Sequence, residues 1–135
     1  MAATKEEVER LLRRLFNGGS IERVPKNRKD AEAFLALAAS HVESRSVLTE
    51  TELNEQLSDW LDGVANQNAL DHVTLRRYLV DLGMLFRDAE GQNYQANQTV
   101  IGRYINPEAR AIQPSVLSGE VELERAKRRR SQQNQ

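Results

Sequence analysis

The sequence predicts a mainly α-helical fold carrying one small β-hairpin. Three observations predict it. Apolar residues recur at spacings of three and four in several separate runs, capping residues precede those runs, and a glycine-containing turn joins two short strand-like segments near residue 90. The chain has 135 residues, enough for one domain plus tails. With 39% hydrophobic residues and only seven aromatic ones, its core must come mainly from Leu, Val and Ala.

Residues 5–16 place Val8, Leu11, Leu12, Leu15 and Phe16 on one helical face. Thr4 followed by Glu7 supplies a capping box, and Asn17, Gly18 and Gly19 end the helix. The opposite face carries Arg10, Arg13 and Arg14 and reads as a solvated surface with pairs such as Glu6 and Arg10. Residues 1–17 are therefore an amphipathic helix packing on the domain that follows. Residues 20–29 read as an extended segment anchored by Ile21 and Val24, with Pro25 holding Val24 out of the helical region. Arg23, Lys26, Arg28 and Lys29 make this the most basic part of the body.

Residues 30–42 are alanine-rich and helical, with Phe34, Leu37, Ala38 and Val42 as the buried stripe and Leu35 at its margin. His41 lies beside that stripe as a structural histidine. Residues 43–48 are a connector in which Ser46, Val47 and Leu48 make one short strand. Thr49 with Glu52 is a second capping box, followed by Leu53, Leu57, Trp60 and Leu61 on one face and a stop near Asp62 and Gly63. Trp60 is expected in the core.

Residues 70–94 are the stretch against which the upstream helices are expected to pack. Asp71 caps a helix in which Leu75, Leu79 and Leu82 fall together with Tyr78 beside them, while Val73 and Val80 lie on nearly the opposite side. Two apolar faces predict a sandwiched helix, with a narrow exposed strip of Thr74, Arg77 and Asp81 and with Arg76 at the other edge. Gly83 stops the helix, and residues 84–87 pair with residues 93–95 around a type I turn at 88–91. Helix, short strand, helix, helix and hairpin across residues 30–97 is the order of a winged helix-turn-helix, so residues 18–97 are read as a winged-helix-like domain. Residues 98–112 form a docking extension through Val100, Ile101, Tyr104 and Ile105, and Pro107 and Pro114 interrupt further regularity. Residues 113–135 are a charged basic tail, expected to be largely disordered because an isolated helix that short is marginal in water.

Three runs carry a family resemblance: FNGGSIERVPKNRKDAEAFL, then LTETELNEQL, then DHVTLRRYLVDLGMLFRDAEGQNY. Together they resemble domain-of-unknown-function family 2087, a small bacterial family. Its pattern joins a basic stretch, a TExExN-like helix start and a TLRRxLVDxGxLxR core ending in glycine and tyrosine. The resemblance covers roughly residues 16–95, and LRRYLVD with its following glycine and Arg87 is its most specific part. It implies a winged-helix-like fold and an association with transcription, since members occur alone or attached to ArsR-type transcriptional regulators. It implies no catalytic residue.

Composition narrows the function classes. Without cysteine there are no disulfides, thiolate ligands or cysteine nucleophiles, and His41 and His72 alone cannot build a zinc site. No nucleophile elbow, phosphate loop or dinucleotide fingerprint is present, so neither an enzyme nor a cofactor is expected. The start, MAATKEEVERLL, lacks the apolar run of a signal peptide, and a cytoplasmic protein without membrane contact is expected. Five of the 19 basic residues, Arg125, Lys127, Arg128, Arg129 and Arg130, lie in the tail, and all 20 acids precede them. The first 124 residues thus hold 14 bases and carry a net charge of −6, the wrong sign for generic attraction to phosphate.

DNA is nevertheless the first partner to consider. In that reading the helix of residues 71–82 enters the major groove, with Thr74 and Arg77 nearest the bases and Arg76 toward a phosphate. Arg87 on the hairpin and Arg23, Lys26, Arg28 and Lys29 supply backbone contacts, and the basic tail adds unspecific attraction. Asp88 and Glu90 at the hairpin tip, Glu50, Glu52 and Asp71 at helix starts, and Asp81 one turn from Arg77 oppose it. The alternative is an interaction module that dimerises or holds a transcriptional regulator through Val73, Val80 and the helix of residues 5–16.

Overall fold

Seven consecutive residues, Ala33 through Ala39, are buried, and they set the plan of the molecule. They belong to helix α2 (Arg28–Ser40) in a computed structural model that describes residues 1–43 and 46–134. Ser44 and Arg45, which fall in the expected connector, and Gln135 lie outside the described residues. A helix that is apolar all round needs neighbours on every side. α2 finds them in α1 (Lys5–Phe16), α4 (His72–Asp81), α5 (Gln98–Tyr104) and a 3-10 turn at Pro107–Ala111. Leu35, read from the sequence as marginal, is therefore buried. The expectation that residues 70–94 organise the packing is corrected: α2 is the central element.

The helix ends follow the local signals. Thr4 Oγ1 accepts the Glu7 N–H at 3.1 Å while Glu7 Oε1 accepts the Thr4 N–H at 3.1 Å, closing the capping box of α1. Thr49 and Glu52 repeat the arrangement at α3 (Glu50–Leu61). Leu53, Leu57 and Leu61 of α3 are buried, whereas Trp60 is half-buried. The Trp60 ring meets Phe34 edge-on with centroids 5.6 Å apart and lies 6.2 Å from His41. His41 Nδ1 lies 2.9 Å from the Leu37 carbonyl at the end of α2, while its Nε2 is buried without a hydrogen-bond partner among the described residues.

Three strands complete the domain. β1 (Leu48–Thr49), β2 (Leu85–Arg87) and β3 (Asn93–Ala96) form an antiparallel sheet in the order β1-β3-β2. Leu48 stands opposite Tyr94, and Phe86 opposite Gln95. The first strand is thus Leu48 and Thr49, overlapping the expected Ser46, Val47 and Leu48 only at Leu48. Gly83, at φ 74°, turns the chain from α4 into β2. The hairpin turn is held by Asp88, whose Oδ1 accepts the Gln92 N–H at 2.8 Å and whose Oδ2 accepts the Asn93 side-chain amide at 2.7 Å.

Two expectations fail for one reason, the allocation of cover. α4 is not sandwiched. Leu75 and Leu79 are buried, but Val73, Tyr78 and Leu82 are 40%, 43% and 37% exposed. α2 and α3 pack on one side of it, and the remaining helices are gathered beyond α2. The tail is not disordered over Pro114–Gln133, which form helix α6. Pro107 and Pro114 start helical segments rather than interrupt them, because proline at the first position lacks only an amide that would have no partner. α6 is not isolated: Leu117 and Val121 are buried in the core, and the helix packs on α1. Arg13 reaches Glu120 at 2.7 Å and Glu124 at 3.8 Å, while Arg14 reaches Asp30 at 2.6 Å. The face of α1 read as solvated is therefore partly an ion-pair seam to its neighbours.

The first residues are tied in as well. The Ala3 N–H donates to the Tyr104 carbonyl at 2.8 Å and the Asn106 N–H donates to the Ala3 carbonyl at 2.8 Å. Among the described residues no helix is long and apolar enough to cross a membrane.

The plan predicts an uneven sensitivity to truncation. Phe34→Ala, at a fully buried site of α2, should lower stability by about 3–5 kcal/mol in urea denaturation. Leu123→Ala, at a site 55% exposed on α6, should change it by less than about 0.5 kcal/mol.

Candidate functional site

The open face of α4 and the surfaces on its two flanks form the candidate site. Asp71 fixes where the helix begins, its Oδ1 accepting the Thr74 N–H at 2.8 Å. That amide bond holds the Asp71 carboxyl below its ordinary range, with a smaller contribution from the Thr74 hydroxyl. Thr74 is half-buried just beyond the cap. From there the uncovered arc runs through Val73, Arg77, Tyr78, Asp81 and Leu82.

The two arginines of this helix have different fates. Arg76 Nη1 lies 2.6 Å from Asn54 Oδ1 and 3.1 Å from Glu50 Oε1, both on α3. Its guanidinium also stands 5.8 Å from the centre of the Tyr94 ring. Arg76 thus fastens α4 to α3 and to the sheet, and the expectation that it points toward a phosphate is corrected. Arg77 is exposed and has no carboxylate within ion-pair distance among the described residues. It lines a hollow of about 250 Å³ with Val73, Arg76, Val80 and Asp81 from its own helix and Arg87 from the hairpin. The expected neutralisation of Arg77 by Asp81 is therefore not an ion pair, although the two share this hollow.

On the other flank, Arg23, Lys26 and Arg28 rim a groove whose opposite wall is Tyr78, Asp81 and Leu82. Asp81 lines both depressions, so the two sets of cations stand on either side of the same turn of α4. Lys29 does not join them: it faces α1, with its Nζ 3.9 Å from Glu7. Arg28 makes a 3.5 Å pair with Glu32 from a side chain that is 93% exposed, which leaves it mobile and weakly held. In the tail, Arg125 and Arg129 pair with Glu122 at 3.4 and 3.5 Å, and Arg125, Arg128 and Arg129 share a hollow with Asn17. Lys127 and Arg130 are exposed on the same helix.

Sequence reasoning missed Tyr78 and Leu82 as parts of a surface site. The available signal was angular and held for Tyr78 alone: at about 100° per residue it borders Thr74 and Asp81 as closely as it borders Leu75, whereas Leu82 falls beside Leu75 and gave no such signal. The expectation that the apolar stripe of the helix of residues 5–16 supplies an interaction surface is corrected too. Val8, Leu11, Leu12 and Phe16 are buried inside the chain's own core.

Fold and site together define a small, mainly helical domain with a three-stranded antiparallel sheet and one helix left open between two basic flanks. The chain belongs to domain-of-unknown-function family 2087, described as "Uncharacterized protein conserved in bacteria", which matches residues 20–96. The match begins just before Ile21 and ends with β3, so α1, α5 and α6 lie outside it. No curated protein and no solved structure matches the chain.

Two outcomes follow from this geometry. Arg76→Ala should destabilise the fold by about 1–3 kcal/mol, as expected on losing hydrogen bonds from a charged group, whereas Arg77→Ala should stay within about 0.5 kcal/mol, both read by urea denaturation. Because the Asp71 carboxyl is held low in the folded state, its contribution is full above about pH 4 and is lost as pH falls through the lower folded value. Asp71→Asn should therefore be less stable than the parent at about pH 6, with the difference closing as pH falls below about 4.

Proposed function

We propose that this chain is a winged-helix DNA-binding protein in which α4 enters the major groove and the β2–β3 hairpin is the wing. The observation that carries this reading is the uncovered face of α4, with Arg77 lacking a carboxylate partner among the described residues and with Arg87 and the Arg23, Lys26 and Arg28 group flanking it. The element order α2, β1, α3, α4, β2, β3 and the strand order β1-β3-β2 support the winged-helix assignment.

Each group has a role that its chemistry suits. Arg77 presents a planar fork of donors to a base edge, and Thr74 offers a hydroxyl beside it. Arg87 meets the phosphates on the hairpin side, and Arg23, Lys26 and Arg28 meet those on the other. The body carries a net negative charge, so the attraction is local to these flanks and strongly dependent on salt. Arg125, Lys127, Arg128, Arg129 and Arg130 add unspecific attraction from the end of α6. The chain is proposed to act in the bacterial cytoplasm, by binding rather than by catalysis.

A second role is favoured by a different observation. Phe86 and Val47 are each 59% exposed, and Phe86 stands opposite Gln95 on β3. Carried one residue past Leu48 and Tyr94, the register of β1 with β3 puts Val47 opposite Gln95 as well. Two apolar side chains in one row across a sheet suit contact with a protein, either a transcriptional regulator or a second copy of the chain.

Fluorescence anisotropy with random-sequence duplex tests the main reading. Binding should weaken steeply with salt, and Arg77→Ala or Arg87→Ala should each lower affinity about tenfold; loss of a phosphate contact should also reduce the salt slope by about one. Affinity lost only on deleting residues 125–135, with Arg77→Ala and Arg87→Ala unchanged, would overturn the role given to α4.

A further inference from the structure

The groove between α4 and the loop before α2 is more than a basic flank. Its apolar lining comes from Val24 and Pro25 of the loop, from Tyr78 of α4 and from Leu82 just past that helix, with Leu35 of α2 buried beneath them. Its volume is about 650 Å³, within the range of pockets that hold small organic ligands. Tyr78 and Leu82 remain 43% and 37% exposed there, so apolar surface is available for an occupant to cover.

The charges around this lining are arranged by element. Arg23 and Lys26, both exposed and both outside any ion pair among the described residues, come from the loop. The carboxylates, Glu32 and Asp81, come from the two helices, and Glu32 is engaged by Arg28. An anionic group is therefore welcome at the loop side and repelled at the helix side beside Asp81. A neutral apolar molecule would leave the loop cations without a counter-charge, and a small inorganic anion would leave the apolar lining uncovered.

We propose that this groove binds a small organic acid, with an aliphatic or aromatic body lying on Val24, Tyr78 and Leu82 and a single carboxylate meeting Arg23 and Lys26. The site shares Arg23 and Lys26 with the proposed phosphate contacts but not Arg77 and Arg87, and binding of the acid to the chain without DNA stands whether or not α4 reads DNA.

Octanoate is the probe, followed by amide chemical shifts in an isotope-labelled sample of the full chain without DNA. Saturable shifts are expected at Val24, Tyr78 and Leu82, with a Kd on the order of 1 mM for so small a ligand. Octan-1-ol, with the body but no charge, and acetate, with the charge but no body, should each bind about tenfold more weakly or less. Arg23→Gln combined with Lys26→Gln should weaken octanoate about tenfold and leave the circular dichroism spectrum unchanged, since both side chains are exposed. Octanol binding as well as octanoate would overturn the acid specificity. Acetate matching octanoate would overturn the apolar part, and shifts absent or located elsewhere would overturn the site.

Discussion

A helix that must be covered on every side governs the rest of this structure. Phe34, Leu35 and Leu37 are at most 1% exposed, and each is worth roughly 1.5–3 kcal/mol only while its cover stays in place. α3, α4 and the sheet do not surround α2. The other side is closed by α1, α5 and the 3-10 turn, with α6 laid over α1. The family match ends at residue 96, so the chain closes its core with helices from outside the matched region. Having committed its remaining helices there, it leaves the outer face of α4 bare. The open surface and the closed core have one origin.

Features whose cause lies within a few residues were legible in the sequence. The capping boxes at Thr4 and Thr49, the Asp71 cap, the Gly83 stop and the Asp88 turn all appear where the local signals put them. What stayed hidden depended on partners far along the chain. Arg76 looked like one more surface cation, but its partners on α3 are 22 and 26 residues away. Val73 and Leu82 looked like core because apolar residues on a helix usually find neighbours, and no periodicity tells how many neighbours a fold can supply. For the same reason the tail could be judged only as an isolated helix, without Leu117 and Val121 against α1. Arg77 and Arg87 line one hollow, whereas Lys29, adjacent to Arg28 in sequence, faces Glu7 of α1.

The acidic balance of the body looks different once its carboxylates have positions. Glu7, Glu52 and Asp71 each accept a backbone N–H at a helix start, and Asp88 accepts one inside the hairpin turn. Each is held below its ordinary pKa chiefly by that amide bond. Such carboxylates sit where the helix or turn already presents partial positive charge, so part of their field is offset locally. The cations near α4 have fewer such engagements. Net charge, summed over the chain, therefore understates how positive the flanks of α4 are, and it leaves Asp81 as the acid closest to the open face.

The short bridge from Ala3 to Tyr104 and Asn106 bears on how the protein is made in the cell. These groups are separated by about a hundred residues, and a ribosome adding about 5–20 residues per second delivers the second partner about 5–20 s after the first. Throughout that interval the apolar stripe of α1 has emerged without α6 to cover it. Among the described helices α6 thus emerges after the others and shelters α1, which emerges before them, and this core closes only once Leu117 and Val121 have emerged.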